Sequence, residues 1–307
     1  MSRLNAITIK QLRALRAVAD CGTLTGAALR LHLSTPAVHS QIRALEEAAG
    51  VPLVTRASDS GRAGLTPEGE AMLTAAERVD NALGQVGEQL AAMRRGLAGR
   101  VTLGVVSTAK YFAPRLVRTL KDLCPEVETV LRVANREGVI ADLERQAVDL
   151  AIMGRPPRHP VVQADPLGAH PHGIVAPPDH RLAGRSFLSA TDLLAETFLA
   201  REPGSGTRIL MTRYLDRIGE GQAINLVEMD SNETIKQAVI AGLGIAFLSL
   251  HTVMDELHSG RLVLLDAPGL PMLRHWFLVS PDAVDLTPAA RTIRDRILGL
   301  GGAFLPR

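Results

Sequence analysis

Apolar residues recur through the first ninety positions at spacings of three and four, the period of a helix with one buried face. Leu12, Leu15 and Val18 predict a helix from Thr8 to Asp20, stopped by Cys21-Gly22. Leu24, Ala27, Ala28 and Leu31 predict a second, short helix capped by Thr23. Only His32 and Leu33 then precede Ser34, which opens a third helix with Val38, Ile42 and Leu45 on its inner face. Ser34 suits the N-cap because its oxygen accepts from a first-turn amide. Pro36 needs no donor in that turn, and Gly50 supplies a left-handed stop. Thr66, Pro67, Glu68 and Glu70 open a far longer helix, whose stripe of Leu73, Ala76, Val79, Leu83, Val86 and Leu90 runs on towards Gly96. A helix of that length calls for a partner along it.

The pattern changes at Val101. Short β-branched runs at 101–106, 130–133 and 150–153 alternate with helical segments at 109–123 and 138–146. This βαβαβ order predicts a parallel sheet. Around Ala164 to His172 the chain is expected to cross to another lobe. There the pattern predicts strands at 173–176, 198–200, 225–228, 245–248 and 262–265, with helices at 191–194, 207–218 and 232–241. A strand at 272–279 returns to the first lobe and a last helix runs from about Pro288 to Leu300. The expected division is 1–65, a helix-rich head; 66–95, a linker helix; and 96–307, a two-lobed body. Its first lobe takes about 100–166 and 270–307, its second about 167–269.

Composition narrows the class. The 307 residues are 46% hydrophobic and 21% charged, as in a soluble globular protein. No run of roughly eighteen apolar residues marks a membrane span, and MSRLNAITIKQLRAL has no apolar signal core, so the cytoplasm is the expected location. Cys21 and Cys124 do not suggest a disulfide framework. The net charge of +2 says little, but residues 1–65 hold eight Lys+Arg against four Asp+Glu, while the remainder holds 26 against 28. A modestly basic head on a nearly neutral body fits local phosphate contacts.

Two short helices with a tight turn, the second starting polar, is the layout of a helix-turn-helix. Thr35, His39, Ser40 and Arg43 fall on its outer faces, a donor-rich set suited to base edges in a major groove. The same spacing also fits an ordinary pair of packed helices. Val51 to Leu65 has turn chemistry at Ser-Asp-Ser-Gly flanked by Arg56 and Arg62, either a two-stranded wing reaching the DNA backbone or a solvated hairpin.

In the body, three strand-to-helix junctions are candidate ligand sites, because open α/β sheets bind at the carboxyl ends of their strands. They are Ser107-Thr108 with Lys110; Arg201-Glu202 with Gly204-Ser205-Gly206-Thr207-Arg208; and Asn232-Glu233. Free amides at helix starts suit anions, although a glycine-serine loop alone is more often a plain turn.

AALRLHLSTPAVHSQIRALEEAAGVPLVTR followed by LTPEGEAMLTAA resembles the N-terminal domain of LysR-type transcriptional regulators. The resemblance implies that Ser34, Thr35, Pro36, His39, Ser40 and Arg43 contact double-stranded promoter DNA, with Arg56 and Arg62 on the backbone. Many members carry serine where His39 stands and a basic residue where Ser40 stands, which bears on the bases read. The family's long helix dimerises, its dimers commonly pair into a homotetramer, and RNA polymerase is a further partner. Its two-lobed domain resembles periplasmic binding proteins. The fold class implied is an α/β body with an all-α winged helix-turn-helix head. GVVSTAKYFAPRLV, MGRPP, REPGSGTR, SNETIKQAVIAGLGIAFLS and GLPMLRHWFLV are similar to the CbbR-type members, regulators of the RuBisCO (cbb) operon of the Calvin cycle. This implies an activator of carbon-fixation genes with no cofactor and a small anionic effector: a sugar phosphate, a phosphorylated organic acid or NADPH. A regulator of another operon with an organic-acid effector is the alternative.

Catalytic motifs are absent. Gly204-Ser205-Gly206 is not a nucleophile elbow, Gly242-Leu243-Gly244 stands between helix and strand in the wrong order for a dinucleotide loop, and no Walker A, HExxH or CxxC sequence occurs. His170 and His172 are expected as surface or packing residues rather than metal ligands. No catalytic residue and no metal site is expected. A solute-binding protein would share the body, but would need a signal peptide and have no use for a basic head.

Overall fold

The computed structural model describes residues 4–55, 63–95, 99–219, 222–282 and 285–306. Contacts divide the chain into two units, Met1–Gly87 and Glu88–Arg307.

The first unit opens with α1 (Ile9–Cys21), α2 (Leu24–Leu31) and α3 (Thr35–Ala49). Thr8 and Gln11 form a capping box on α1, and Gly22 ends it in the left-handed region at φ 66°. Thr23 caps α2, which stops at His32, itself left-handed. The Ser34 hydroxyl accepts from the Ala37 amide and Gly50 closes α3, so local chemistry alone sets these three helices. Leu12, Leu15, Val18, Ala27, Ala28, Val38, Ile42 and Leu45 meet in one core with Leu53 and Ala76, while Leu24 and Leu31 are only partly buried against it. A two-stranded antiparallel wing follows, β1 (Val54–Thr55) and β2 (Gly64–Leu65), with Val54 opposite Leu65. Glu46 on α3 holds its base by accepting from the Leu53 and Val54 amides. Thr66 caps α4 (Pro67–Arg95) through the Gly69 amide. On α4, Ala76 is buried, whereas Leu83, Val86 and Leu90 are 42%, 50% and 57% exposed. Among the described residues nothing covers that stripe.

The second unit runs β3 (Gly99–Val106), α5 (Ala113–Leu123), β4 (Val127–Ala134), α6 (Arg136–Glu144), β5 (Leu150–Met153) and the fifteen-residue β6 (Val162–Ala176). Then come α7 (Ala190–Leu194), β7 (Thr197–Arg201), α8 (Gly206–Gly219), β8 (Asn225–Met229), α9 (Asn232–Ile240), β9 (Ala246–Ser249), α10 (Met254–His258), β10 (Val263–Leu264), β11 (Met272–Pro281) and α11 (Pro288–Gly299). β3 pairs in parallel with β4 and β5, as the βαβαβ pattern expects. β7 and β8 pair in parallel in the other lobe. One buried core takes residues between Val101 and Leu167 and between Trp276 and Leu305. Two others lie between Ile174 and Ala267. These cores define the two lobes.

Two sequence expectations change. The crossing at 164–172 and the strand at 173–176 are one unbroken strand, β6, paired antiparallel with β11 from Met272↔His172 to Pro281↔Val162. Pro166 and Pro171 disguise it in the sequence, since proline is depleted from strands. Ladder bonds from β11 satisfy the crossing backbone, so no loop is needed. The helix expected at 109–123 is instead a 3-10 turn, Ala109–Tyr111, followed by α5 from Ala113. Pro114 sits in the first turn of α5, where its missing amide costs nothing. Among the described residues no helix is long and apolar enough to cross a membrane.

Candidate DNA-reading face and candidate effector cleft

On α3, Pro36, His39, Ser40 and Arg43 are exposed and Thr35 is half-buried. Ser34 is exposed with its oxygen committed to the cap, which leaves its hydroxyl hydrogen free to donate. Arg43 pairs with Glu47 one turn on at 3.1 Å, an exposed contact that a phosphate can outcompete. The opposite face of α3 is bound into the core through Val38, Ile42 and Leu45, so the outward set is held rigidly. Arg56 and Arg62 lie outside the described residues.

Between the lobes of the second unit is a cavity of about 330 Å³. Lobe 1 contributes Ser107 and Thr108 after β3, Arg136 at the start of α6, and Gly154, Arg155 and Arg158 after β5. Lobe 2 contributes Ser205, Gly206, Thr207 and Arg213 from the α8 region. The crossing ribbon supplies its floor, His170 and His172 from β6 and Arg274 from β11. Arg274 stands directly opposite His170 in the β6–β11 register, so the two side chains share a face. Five arginines and two histidines thus line the cavity, with no carboxylate among its lining residues. Burial lowers the Arg136 guanidinium from its ordinary value, with the nearby Arg155 adding to the shift.

Of the sequence candidates, Ser107, Thr108, Ser205, Gly206 and Thr207 line this cavity. Lys110, Arg201, Glu202, Gly204, Arg208, Asn232 and Glu233 do not, and the physical reason is that they answer one another. Arg201 is 3% exposed. It donates to both carboxylate oxygens of Glu202 at 2.7 and 2.8 Å, to Asn232 Oδ1 at 2.6 Å and to Ser107 Oγ at 3.1 Å. Asn135 of lobe 1 donates to Glu202 at 3.2 Å. Tyr111 of lobe 1 donates to Glu233 at 2.6 Å, and Lys236 pairs with Glu233 at 2.9 Å. Burial opposes ionisation of Glu233, yet the hydrogen bonds from Tyr111 and Lys236 hold its carboxyl below the usual range. Lys110 lies over the Tyr111 ring. Arg208 donates to the Arg201 carbonyl and pairs with Glu228. This network ties one lobe to the other beside the cavity. Gly204 belongs to it: at φ 83° it is left-handed, and a Cβ there would sit 2.4 Å from Glu137 Oε2.

His170 and His172 are packing residues, as expected, and also cavity floor. They are 4% and 1% exposed. His170 stacks on Trp276 at 3.7 Å between ring centroids and lies 4.1 Å from the His172 ring. Trp276 Nε1 donates to His251 Nδ1 at 3.1 Å. Burial, with help from the neighbouring histidines and Arg274, pushes His170 well below its ordinary value. Burial likewise pushes His172 and His251 down to about 4. Because these folded-state values lie below the unfolded one, the stability they confer is full above about pH 6.5 and is lost as pH falls towards 4. The guanidinium unfolding midpoint should therefore fall between pH 7 and pH 5, and less steeply in a His172→Leu variant. Equal slopes would show that His172 carries none of the acid sensitivity. Among the described residues no group of three His, Cys, Asp or Glu side chains has a metal-holding arrangement.

The residues that sequence reasoning missed are Arg136, Arg155, Arg158, Arg213, Arg274 and the floor role of the histidines. Arg155 and Arg158 directly follow β5, a position the strand-end rule points to. Arg213 is one turn beyond Ile209, on the cavity side of α8.

The sequence matches the lysR family of bacterial regulatory helix-turn-helix proteins over residues 9–70, and the LysR substrate binding domain over residues 94–300. The chain belongs to the LysR family. It is a transcriptional regulator, not an enzyme. This LysR-type chain is 61% identical to the HTH-type transcriptional regulator CbbR of Cereibacter sphaeroides over 306 residues, covering 100% of this chain and 99% of that protein. It is 39% identical to the RuBisCO operon transcriptional regulator of Allochromatium vinosum, covering 95% of this chain and 96% of that one. Its second unit is similar to the regulatory domain of Synechocystis CcmR in complex with 2-PG, at 33% identity and a TM-score of 0.62, covering 66% of this chain and 97% of that one. As a LysR-family regulator it binds promoter DNA through its helix-turn-helix head and small-molecule effectors through its substrate binding domain.

Proposed function

We propose that this LysR-family regulator controls carbon-fixation genes, those of the RuBisCO operon, and activates them when a phosphorylated metabolite fills the inter-lobe cleft. The observation that carries the effector's chemistry is the cavity lining of five arginines without a carboxylate. Guanidinium forks match phosphate and carboxylate oxygens in pairs, and such charge-assisted bonds are about twice as strong as neutral ones. A neutral ligand would leave that charge unrelieved. A sugar phosphate, a phosphorylated organic acid or NADPH would each relieve it. The target genes are supported by the relatives named above, and the class of ligand by the 2-PG complex of the CcmR domain.

DNA contact is assigned to Ser34, Thr35, Pro36, His39, Ser40 and Arg43 of α3 and its cap. Two heads would read half-sites about one helical turn apart. The uncovered Leu83, Val86 and Leu90 stripe on α4 supports a dimer through that linker helix. A dimer of dimers, contact with RNA polymerase and a cytoplasmic location belong to the same reading. The network of Arg201, Glu202, Asn135 and Ser107 is the element an effector would bias, since Ser107 faces both Arg201 and the cavity. A ligand that holds Ser107 differently in two lobe arrangements shifts their populations.

The test is binding of the purified chain to a fluorescent RuBisCO-operon promoter fragment at fixed salt, with and without ribulose bisphosphate, phosphoenolpyruvate or NADPH. One of them should change promoter affinity or DNA bending, with a coupling of about 5- to 150-fold. Specific promoter binding with no response to any of the three would discard the effector class and keep the head.

A further inference from the structure

The two lobes have separate apolar cores, and the bonds that join them beside the cavity are polar. One of these bonds is built differently from the others. Tyr111 ends the 3-10 turn Ala109–Tyr111, which directly follows Ser107 and Thr108 of the cavity wall in lobe 1. Its hydroxyl donates to Glu233 Oε1 at 2.6 Å, in the first turn of α9 in lobe 2. Lys236, one turn further along α9, pairs with the same oxygen at 2.9 Å and with Glu256 at 3.0 Å. The Lys236 side chain is 6% exposed, and its ammonium lies 4.9 Å from the centroid of the Tyr111 ring. A buried ammonium is costly unless it is answered on every side. Two carboxylates answer it from lobe 2, and an aromatic face answers it from lobe 1. Burial and the bond to Glu233 push the Tyr111 hydroxyl above its ordinary value, so it stays a donor across the neutral range. Neither Tyr111 nor Glu233 nor Lys236 lines the cavity.

We propose that Tyr111 is a positioning residue for effector binding: it clamps the turn that carries Ser107 and Thr108 onto α9, and so sets the separation of the two cavity walls from outside the cavity. This rests on the reading of the cleft as the effector site. The turn is held at both ends, Ser107 by Arg201 and Tyr111 by Glu233, and both holders belong to lobe 2. If the lobes part, the Tyr111 hydroxyl and Glu233 return to water and Lys236 loses the ring beside it. The hydroxyl–carboxylate bond and the ring–ammonium contact are therefore lost together. A ligand that needs both walls binds only the clamped arrangement, and its apparent affinity scales with the fraction of chains in that arrangement. Weakening the clamp lowers affinity without removing any group the ligand touches. The coupling is reciprocal, so a ligand seated on Ser107 and Thr108 tightens the clamp in turn.

The experiment pairs calorimetric titration of the full chain with ribulose bisphosphate and hydrogen exchange of the ligand-free chain, for Tyr111→Phe, Glu233→Ala and the double variant. Tyr111→Phe keeps the ring beside Lys236 and removes only the donor. It should weaken ribulose bisphosphate binding about tenfold, the equivalent of one hydrogen bond to a charged group. It should also speed exchange of the amides at 107–111 and 232–236 while the lobe cores keep theirs. In the Glu233→Ala background the same change should act by less than about twofold, because the partner is already gone. A residue that merely supports the fold would act equally in both backgrounds. Affinity unchanged in Tyr111→Phe, or lowered equally in both backgrounds, overturns the role of Tyr111 and leaves the cleft reading standing. If the unaltered chain does not bind ribulose bisphosphate, the cleft reading fails for that ligand and exchange alone decides the clamp. Faster exchange confined to the two segments then supports it, and unchanged exchange overturns it.

Discussion

Replacing Arg136 and Arg213 together with alanine is expected to weaken binding of a phosphorylated ligand by roughly 10²- to 10⁴-fold while operator binding is retained. The two guanidiniums reach the cavity from opposite lobes, Arg136 from α6 and Arg213 from α8. A hydrogen bond to a charged group contributes about 1.5–3 kcal/mol. Two lost together, one on each wall, give the stated range. Removing them should not unfold the chain. Arg136 gives up its hydrogen bond to the Arg155 carbonyl, and removing a half-buried guanidinium beside a second arginine offsets part of that loss. Arg208→Ala is the control: it touches the Arg201 carbonyl and Glu228 rather than the cavity, and should change affinity by less than about threefold. Calorimetry on the full chain, with promoter binding measured in parallel, checks both. Retention of ligand affinity in the double variant would place the anion site elsewhere.

Trp276→Ala is expected to cost about 3–5 kcal/mol of stability, the range for deleting a fully buried large aromatic side chain. Trp276 is fully buried in the lobe 1 core, edge-on to Phe112 at 5.1 Å and stacked on His170. Its loss opens a cavity beneath the cleft and leaves His251 Nδ1 without its donor. Trp276→Phe should cost less, because it keeps most of the stack and loses the one hydrogen bond. Guanidinium unfolding followed by circular dichroism measures both. The chain has a single tryptophan, so its fluorescence in the unaltered protein reports the cleft floor and should respond when ligand binds. A Trp276→Ala variant within about 1 kcal/mol of the parent would mean the floor repacks, and the rigid placement of His170 would be lost with it.

The head was legible in the sequence because its determinants are local. Caps at Thr8, Thr23 and Ser34, stops at Gly22 and Gly50, and apolar spacings of three and four act within a few residues of one another. The outward set on α3 follows from which residues the core takes. The body was legible as alternating strands and helices, since a parallel sheet with crossover helices writes that alternation into the chain. The hydroxyls Ser107, Thr108, Ser205 and Thr207 were legible for the same reason, being at the ends of strands.

What the tertiary structure alone decided is the chemistry of the cleft. The sequence offered Arg201 and Arg208 as free loop cations. Folding buries the first against Glu202 and turns the second onto a backbone carbonyl, because a charge removed from water must be paired. The cations that face the cavity are Arg136, Arg155, Arg158, Arg213 and Arg274, drawn from four separate segments of the chain. His170 and Arg274 face one another only because β6 and β11 pair through their whole crossing, a register set by hydrogen bonds between segments a hundred residues apart. Periodicity records which face of an element is buried. It does not record which distant element arrives to bury it, and that arrival fixes the charge around the cleft.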